Sequence, residues 1–203
     1  RGQVACLVVS KRDVATELDG DRAQALARSG AAVIDGDVAN AEVQFVAIGA
    51  YQLEEALKAH RRLLALGRRS CVAVILEPGR LRVPRDEFEA AFVLDDAALR
   101  GLFPAGLPRV LLCDTRPEPM LGVLRRLDDG PSRTRALGYI SRGGTLDVPG
   151  MLFANRCTWA HAVDAAAAVA GWERTGLLSP KELAAIDGRG DCRDLVEPEA
   201  DEP

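Results

Sequence analysis

Few residues of this chain have the type and position that chemistry requires, and Lys11 is the first of them. It directly follows residues 4–10, a continuous apolar run that predicts a strand buried on both faces. In open α/β sheets the carboxyl ends of such strands form the ligand crevice, where a lysine is suited to bind a phosphate group. A solvated lysine at the end of a strand is the alternative interpretation.

Arg142 is the second candidate, because it precedes Gly143 and Gly144 in a loop rich in glycine. Glycine backbone can approach an anion closely, and an arginine can bind that anion with two parallel hydrogen bonds. A simple turn is the alternative interpretation of the same residues. The sequence therefore nominates Lys11 and Arg142 as phosphate ligands, and it nominates no catalytic residue.

The chain has only two histidines, His60 and His161. His60 falls in the apolar stripe of a helix predicted over residues 52–66, which favours a packing role. His161 lies two positions after Trp159 in another predicted helix, where packing or an interface is the expected role. Proton transfer would require an acid or a substrate within hydrogen-bond distance of either ring.

Common cofactor and nucleophile motifs are absent from the sequence. No Gly-x-Gly-x-x-Gly follows the first predicted strand, and there is neither a Walker-type phosphate loop nor a Gly-x-Ser-x-Gly elbow. Two histidines without acids at ligand spacing make a zinc site unexpected.

Apolar runs alternate with amphipathic segments along most of the chain. Strands are expected at residues 4–10, 31–34, 43–48, 71–76, 109–113 and 135–140, and helices at 21–29, 52–66, 85–92, 95–103, 120–127, 156–171 and 180–186. This alternation predicts an α/β fold, a single three-layer domain with a mostly parallel sheet of about five strands.

The amino-acid composition of the sequence changes near its end. We assign residues 1–175 to the α/β domain and residues 176–203 to a short helix with an acidic tail. After Asp187 glycine and charged residues dominate, and the acidic residues 196–203 carry too little apolar surface to fold, so the tail is expected to be mobile unless a partner chain holds it.

Composition excludes several classes of protein. The 203 residues carry a net charge of −4, which argues against a general nucleic-acid surface. No run approaches the roughly 18 apolar residues of a membrane span, and no apolar leader opens the chain. Five widely spaced cysteines without a Cys-x-x-Cys pair suit unpaired thiols in a reducing cytoplasm.

Three stretches together resemble the C-terminal domain of bacterial phosphoketolases. They are residues 4–12, residues 102–112 and residues 138–161, and the last is the strongest. In the order of the family's pattern, it contains Gly138-Tyr139, Gly144-Thr145, Pro149, Met151, Asn155 and His161.

The resemblance implies a fold like the C-terminal domain of transketolases and a role in a thiamine diphosphate-dependent carbon–carbon lyase. Such an enzyme splits xylulose 5-phosphate or fructose 6-phosphate with phosphate, giving acetyl phosphate and an aldose phosphate. Lys11 matches a lysine of the family that is understood to meet the sugar phosphate.

The resemblance also implies a division of labour. The two preceding domains of the family hold thiamine diphosphate and magnesium, so this domain alone is expected to bind no cofactor and to catalyse nothing. Its expected partners are those upstream domains, on the same chain or on a separate subunit, and a second copy in a homodimer. Its expected work is to complete the subunit, build the dimer and place residues at the mouth of the active site.

Two departures from the family pattern keep other functions open. Asp114-Thr115-Arg116-Pro117 stands where the family has His-Gly-Tyr-Pro, and the turn at residues 145–151 is one residue shorter. One alternative is an interaction or regulatory module that kept the fold without the enzyme. The other is a transketolase-type transferase that passes a two-carbon unit to an acceptor aldehyde.

Overall fold

The computed structural model describes residues 13–140 and 146–198. The strand predicted at residues 4–10 lies outside the described residues.

Five strands and eight α-helices occur within these residues. The strands are β1 (Ala31–Asp35), β2 (Val43–Ile48), β3 (Ser70–Ile75), β4 (Arg109–Cys113) and β5 (Thr134–Leu137). The helices are α1 (Gly20–Ser29), α2 (Ala50–Ala65), α3 (Glu87–Ala90), α4 (Asp96–Leu102), α5 (Pro117–Val123), α6 (Val148–Ala154), α7 (Trp159–Ala170) and α8 (Pro180–Ile186). Short 3₁₀ helices span Pro78–Leu81, Arg125–Leu127, Arg174–Gly176 and Cys192–Leu195.

The strands form one sheet in the order β1-β3-β2-β4-β5. β2 is parallel to both β3 and β4, and β4 is parallel to β5, whereas β1 runs antiparallel to β3 at one edge. Every residue of β2, β3 and β4 is buried, as mainly apolar strands between two helical layers should be. The predicted mostly parallel five-stranded sheet is confirmed.

Alternate side chains of the strands enter two separate cores. On one face, Phe45 and Val72 pack with residues of α2, α7 and α8, including Leu57 and Val163. On the other face, strand residues such as Val46 pack with Leu99, Phe103, Leu124 and Leu127. The domain therefore has the three layers that the sequence predicts.

Two helices differ in extent from their predicted ranges because of local capping. α7 begins at Trp159 rather than at residue 156, since Thr158 is its N-cap and accepts from the His161 amide at 3.5 Å. α6 is not among the predicted helices, although Asp147 caps it and Pro149 lies in its first turn. The residues that indicate its start, Asp147 and Pro149, lie in a segment whose glycine and proline content predicts a loop.

Two further elements are displaced. The helix predicted over residues 120–127 instead begins at Pro117 and ends at Val123, and a 3₁₀ turn follows it. Proline is favoured in the first turn of a helix because it has no N–H to leave unpaired. The strand predicted over residues 135–140 spans only Thr134–Leu137.

Residues 188–198, the part of the final segment that the structure describes, pack against the domain, and the expected mobility of the acidic tail stays a prediction. Leu195 is only 1% exposed and belongs to the same core as α2 and α7. Lys58 donates to the carbonyl of Val196 at 3.0 Å and pairs with Glu197 at 2.9 Å. One buried leucine and one half-buried lysine thus hold a segment of polar composition. The domain boundary near residue 175 stays a prediction.

Candidate functional site

At the carboxyl edge of the sheet, the neighbouring parallel strands β2 and β4 send the chain to opposite faces. β2 leads into α2, which packs in the first core, whereas β4 leads towards α5, and Met120 of α5 packs in the second. The Asp114 amide donates to the carbonyl of Ile48 at 3.0 Å, so the carboxyl ends of β2 and β4 lie side by side. Ligands of open α/β sheets bind at such switch points.

A small crevice of about 30 Å³ opens beside this point. It is lined by residues of several elements, namely Gln52, Cys113, Asp114, Tyr139, Met151, Leu152, Asn155 and Cys157. A space of this size accommodates one or two water molecules, or a single hydroxyl group of a larger molecule.

Two glycines bring the walls of the crevice together. At Gly49, with φ of +111°, an added Cβ would lie 2.4 Å from Gln52 Oε1 and 2.8 Å from Asp114 Cβ. At Gly138 an added Cβ would lie 2.4 Å from the carbonyl of Thr115, to which the Tyr139 amide donates at 2.9 Å. Both positions therefore require glycine for close approach of the two chain segments.

The polar groups of the crevice are hydrogen-bond partners rather than nucleophiles. Asn155 accepts from the Ile140 amide at 2.6 Å and donates to the carbonyl of Met151 at 2.9 Å. Burial raises the pKa of Asp114, and it raises the pKa values of Cys113 and Cys157 to about 12. Both thiols stay protonated near neutral pH and are poor nucleophiles.

The two phosphate ligands nominated by the sequence, Lys11 and Arg142, lie outside the described residues. The chain segments next to Arg142 are described at Ile140, which is bonded to Asn155 at the crevice, and at Leu146. Neither assignment is tested by the structure, and both stay predictions.

His60 is enclosed at the opposite, amino end of the sheet. Its side chain is 1% exposed, its Nδ1 lies 2.7 Å from Ser70 Oγ, and its Nε2 lies 3.6 Å from Asp35 Oδ1. Serine, histidine and aspartate are the residue types of a hydrolase triad, but Ser70 is itself only 3% exposed. Burial lowers the pKa of His60, and the arrangement fits a packing role.

His161 is likewise enclosed. Its Nδ1 lies 2.8 Å from Thr158 Oγ1, and its ring meets the edge of Phe153 at a centroid distance of 5.9 Å. Burial, with a smaller effect from Arg156, lowers the pKa of His161 to about 4. It is therefore neutral at physiological pH and contributes to packing.

An ion-pair network around the buried Glu55 lies beside a second cavity of about 150 Å³, and the sequence did not predict it. Glu55 accepts from the Trp159 amide at 2.6 Å, at the first turn of α7, and pairs with Lys58 at 3.0 Å. Burial raises the pKa of Glu55 although both partners lower it. In the sequence, the only indication of this network is that Glu55 lies next to the apolar stripe of α2.

The described residues contain no group of three or more histidine, cysteine, aspartate or glutamate side chains that could hold a metal ion. None of the helices in the described part of the chain is long and apolar enough to cross a membrane.

Comparison with known proteins gives a fold but no family. No model of a protein family matches the sequence, and no curated protein matches it. A solved transketolase from Leishmania mexicana is similar over 72% of this chain, with a TM-score of 0.53 and 19% identity. A transketolase mutant from Pichia stipitis, solved in complex with xylulose 5-phosphate, is similar over 71%, with a TM-score of 0.51 and 16% identity.

These similarities confirm the predicted transketolase-like α/β fold. The matched region is only 19% and 18% of the respective transketolase chains, so this chain spans less than a fifth of their length.

Proposed function

We propose that this chain is the C-terminal domain of a phosphoketolase-like enzyme that depends on thiamine diphosphate. The main support is its α/β fold, which is similar over 72% of the chain to part of a transketolase. The resemblance of residues 138–161 to phosphoketolases supports the finer assignment. The complete enzyme would split a ketose phosphate with phosphate into acetyl phosphate and a shorter aldose phosphate.

Within this proposal the domain does not carry the cofactor. The resemblance to phosphoketolases implies that the two preceding domains of the enzyme hold thiamine diphosphate and magnesium. We therefore assign thiamine diphosphate and magnesium to other domains, on the same polypeptide or on a separate subunit. The role of this domain would be to complete the subunit and border the mouth of the active site.

A transketolase-type transferase is the second candidate. Both solved structures described above are transketolases, and one of them was solved with xylulose 5-phosphate. The segment from Asp114 to Pro117 also departs from the phosphoketolase pattern. The complete enzyme would then pass a two-carbon unit to an acceptor aldehyde.

Product analysis distinguishes these functions. The chain, assembled with the domains that bind thiamine diphosphate, is supplied with xylulose 5-phosphate and inorganic phosphate, with and without an aldose phosphate acceptor. We expect acetyl phosphate to form without the acceptor. Ketol transfer without acetyl phosphate would identify the second candidate, and neither product would contradict both. Calorimetric titration of the isolated chain with thiamine diphosphate and magnesium should show no binding.

Lys11 is the residue we propose as the ligand of the sugar phosphate, with Arg142 as a second, weaker choice. In the complete enzyme, Lys11→Ala should raise KM for the sugar phosphate about tenfold with kcat nearly unchanged, because it removes a charge-assisted hydrogen bond that exists before and during the reaction. Lys181→Ala is the matched control, since Lys181 is exposed and pairs with Asp194. An unchanged KM in Lys11→Ala would refute this assignment.

A further inference from the structure

Residues 191–197, here called the C-terminal segment, support α6 from one side. Among the described helices and strands, the 3₁₀ helix Cys192–Leu195 of this segment is the one packed most closely against α6. Leu152 of α6 and Leu195 of the segment are both buried, and both line the cavity of about 150 Å³. The position of α6 therefore depends on whether the segment is docked.

α6 in turn forms one wall of the crevice at the carboxyl edge of the sheet. Met151 and Leu152 line that crevice, so Leu152 borders both cavities. Asn155, the C-cap of α6, accepts from the Ile140 amide at 2.6 Å. Cys157 also lines the crevice, and its amide donates to the carbonyl of Leu152 at 2.8 Å. A movement of α6 would therefore change access to the crevice.

One buried side chain and a few polar contacts dock the C-terminal segment. Leu195 is 1% exposed, whereas the Glu197 side chain, which pairs with Lys58 at 2.9 Å, is 68% exposed. Lys58 also donates to the carbonyl of Val196 at 3.0 Å. Exposed ion pairs contribute little to stability, so the burial of Leu195 is the main stabilising contact of the docked segment.

The buried charges beneath the segment keep their partners when it is released. Glu55 is 4% exposed, pairs with Lys58 at 3.0 Å and accepts from the Trp159 amide at 2.6 Å. Lys58 also lies 3.4 Å from Glu54. None of these residues belongs to the C-terminal segment. Because a buried charge is strongly destabilising only when it loses its partner, this arrangement lowers the cost of the released state.

We propose that the C-terminal segment is a latch that controls access to the crevice through α6. With the segment docked, α6 closes one side of the crevice. With the segment released, α6 loses its closest described neighbour and the crevice opens to solvent. A molecule that binds only the released form shifts this equilibrium by its difference in affinity for the two forms. The proposal does not depend on the enzymatic function proposed above.

Alkylation of the native cysteines by iodoacetamide, mapped by peptide mass spectrometry, tests the latch. Cys157 lines the crevice and is 2% exposed, whereas Cys71 is buried in β3 and reports global unfolding. When alkylation is slower than reclosing, each rate follows the population of the open form. Every protein carries Cys192→Ser, since Cys192 is exposed and belongs to the segment. We expect Cys157 to react faster than Cys71.

Two matched substitutions separate release of the latch from global unfolding. Leu195 lies in the segment, and Leu99 is a buried leucine of α4 in the second core. Leu195→Ala should raise the alkylation rate of Cys157 at least about tenfold, because it removes the buried anchor. Leu99→Ala should raise the rate of Cys71 but leave that of Cys157 within about twofold, because it destabilises the docked and released forms equally.

A milder pair of variants leaves both cores intact. Glu197→Gln removes the exposed ion pair with Lys58 and should raise the alkylation rate of Cys157 about twofold to fivefold. Glu87→Gln, at an exposed glutamate of α3, is its control and should leave the rate unchanged.

Each other outcome contradicts the proposal. Rates of Cys157 that stay unchanged in Leu195→Ala and Glu197→Gln would show that the segment does not control the crevice. If Leu99→Ala accelerates Cys157 as much as Cys71, the crevice opens only by global unfolding and there is no latch.

Discussion

Replacing Arg109 with methionine should lower the free energy of unfolding by about 3 kcal/mol or more, the scale at which a buried charged partner is lost. Arg109 is 1% exposed at the start of β4, where its guanidinium donates to the carbonyls of Leu127 and Pro104 at 2.5 and 2.6 Å. Asp129 lies 3.4 Å from the same group. Methionine fills a similar volume but leaves both buried carbonyls without a donor.

Urea unfolding of Arg109→Met and Arg133→Met measures this effect against a matched control. Arg133 is an exposed arginine that also donates to a loop carbonyl, that of Gly106 at 2.9 Å. Its replacement should cost less than about 1 kcal/mol, because water can replace an exposed hydrogen bond. Equal losses in the two variants would show that burial of Arg109 does not determine its contribution.

Acidification should destabilise the protein by about 3 kcal/mol through His161 alone. Its pKa falls from 6.5 in the unfolded chain to about 4 in the folded domain, chiefly because of burial. Between these two values the unfolded chain binds a proton that the folded domain does not. The stabilising contribution is therefore complete above about pH 6.5 and is lost as the pH falls towards 4.

Comparison with His161→Gln isolates this contribution, since His60 and the carboxylates titrate in both proteins. The free energy of unfolding is measured by urea titration at a series of pH values between about 4 and 7.5. The difference between the two proteins should change by about 3 kcal/mol across that range. Parallel pH profiles would mean that His161 does not titrate as its burial implies.

The parts of the fold that follow from local sequence are predictable. β2 and β4 have their predicted bounds, because each is a mainly apolar run that lies between turn residues. α8 begins where Ser179 and Pro180 indicate, and Glu182 completes its capping box. These elements are specified by residues within a few positions of one another.

Features that depend on distant residues are not predictable in the same way. The sequence places Arg109 in a strand correctly, yet its burial depends on carbonyls of Pro104 and Leu127 that only the folded chain brings near. The docking of Leu195 depends on α6 and α8, against which the 3₁₀ helix Cys192–Leu195 packs. The spacing of apolar residues in the final segment therefore does not predict where Leu195 docks.

The location of the candidate site is likewise predictable from the sequence, whereas the residues that line it are not. The general rule for α/β sheets indicates the carboxyl edge, and a crevice does lie there between β2 and β4. Which side chains line it depends on the topology, so the sequence alone does not nominate Gln52 or Asp114. It does nominate Lys11 and Arg142, and the described residues contain neither of them.

The contacts of Lys58 with the C-terminal segment also determine when the domain can complete its folding during synthesis. Lys58 bonds to Val196, 138 residues further along the chain. At a synthesis rate of about 5–20 residues per second, this interval lasts roughly 7–28 s, during which α2 has emerged without the segment that covers it. Final closure over Glu55 and Lys58 is thus a late step of biogenesis, when residues 195–197 become available to dock.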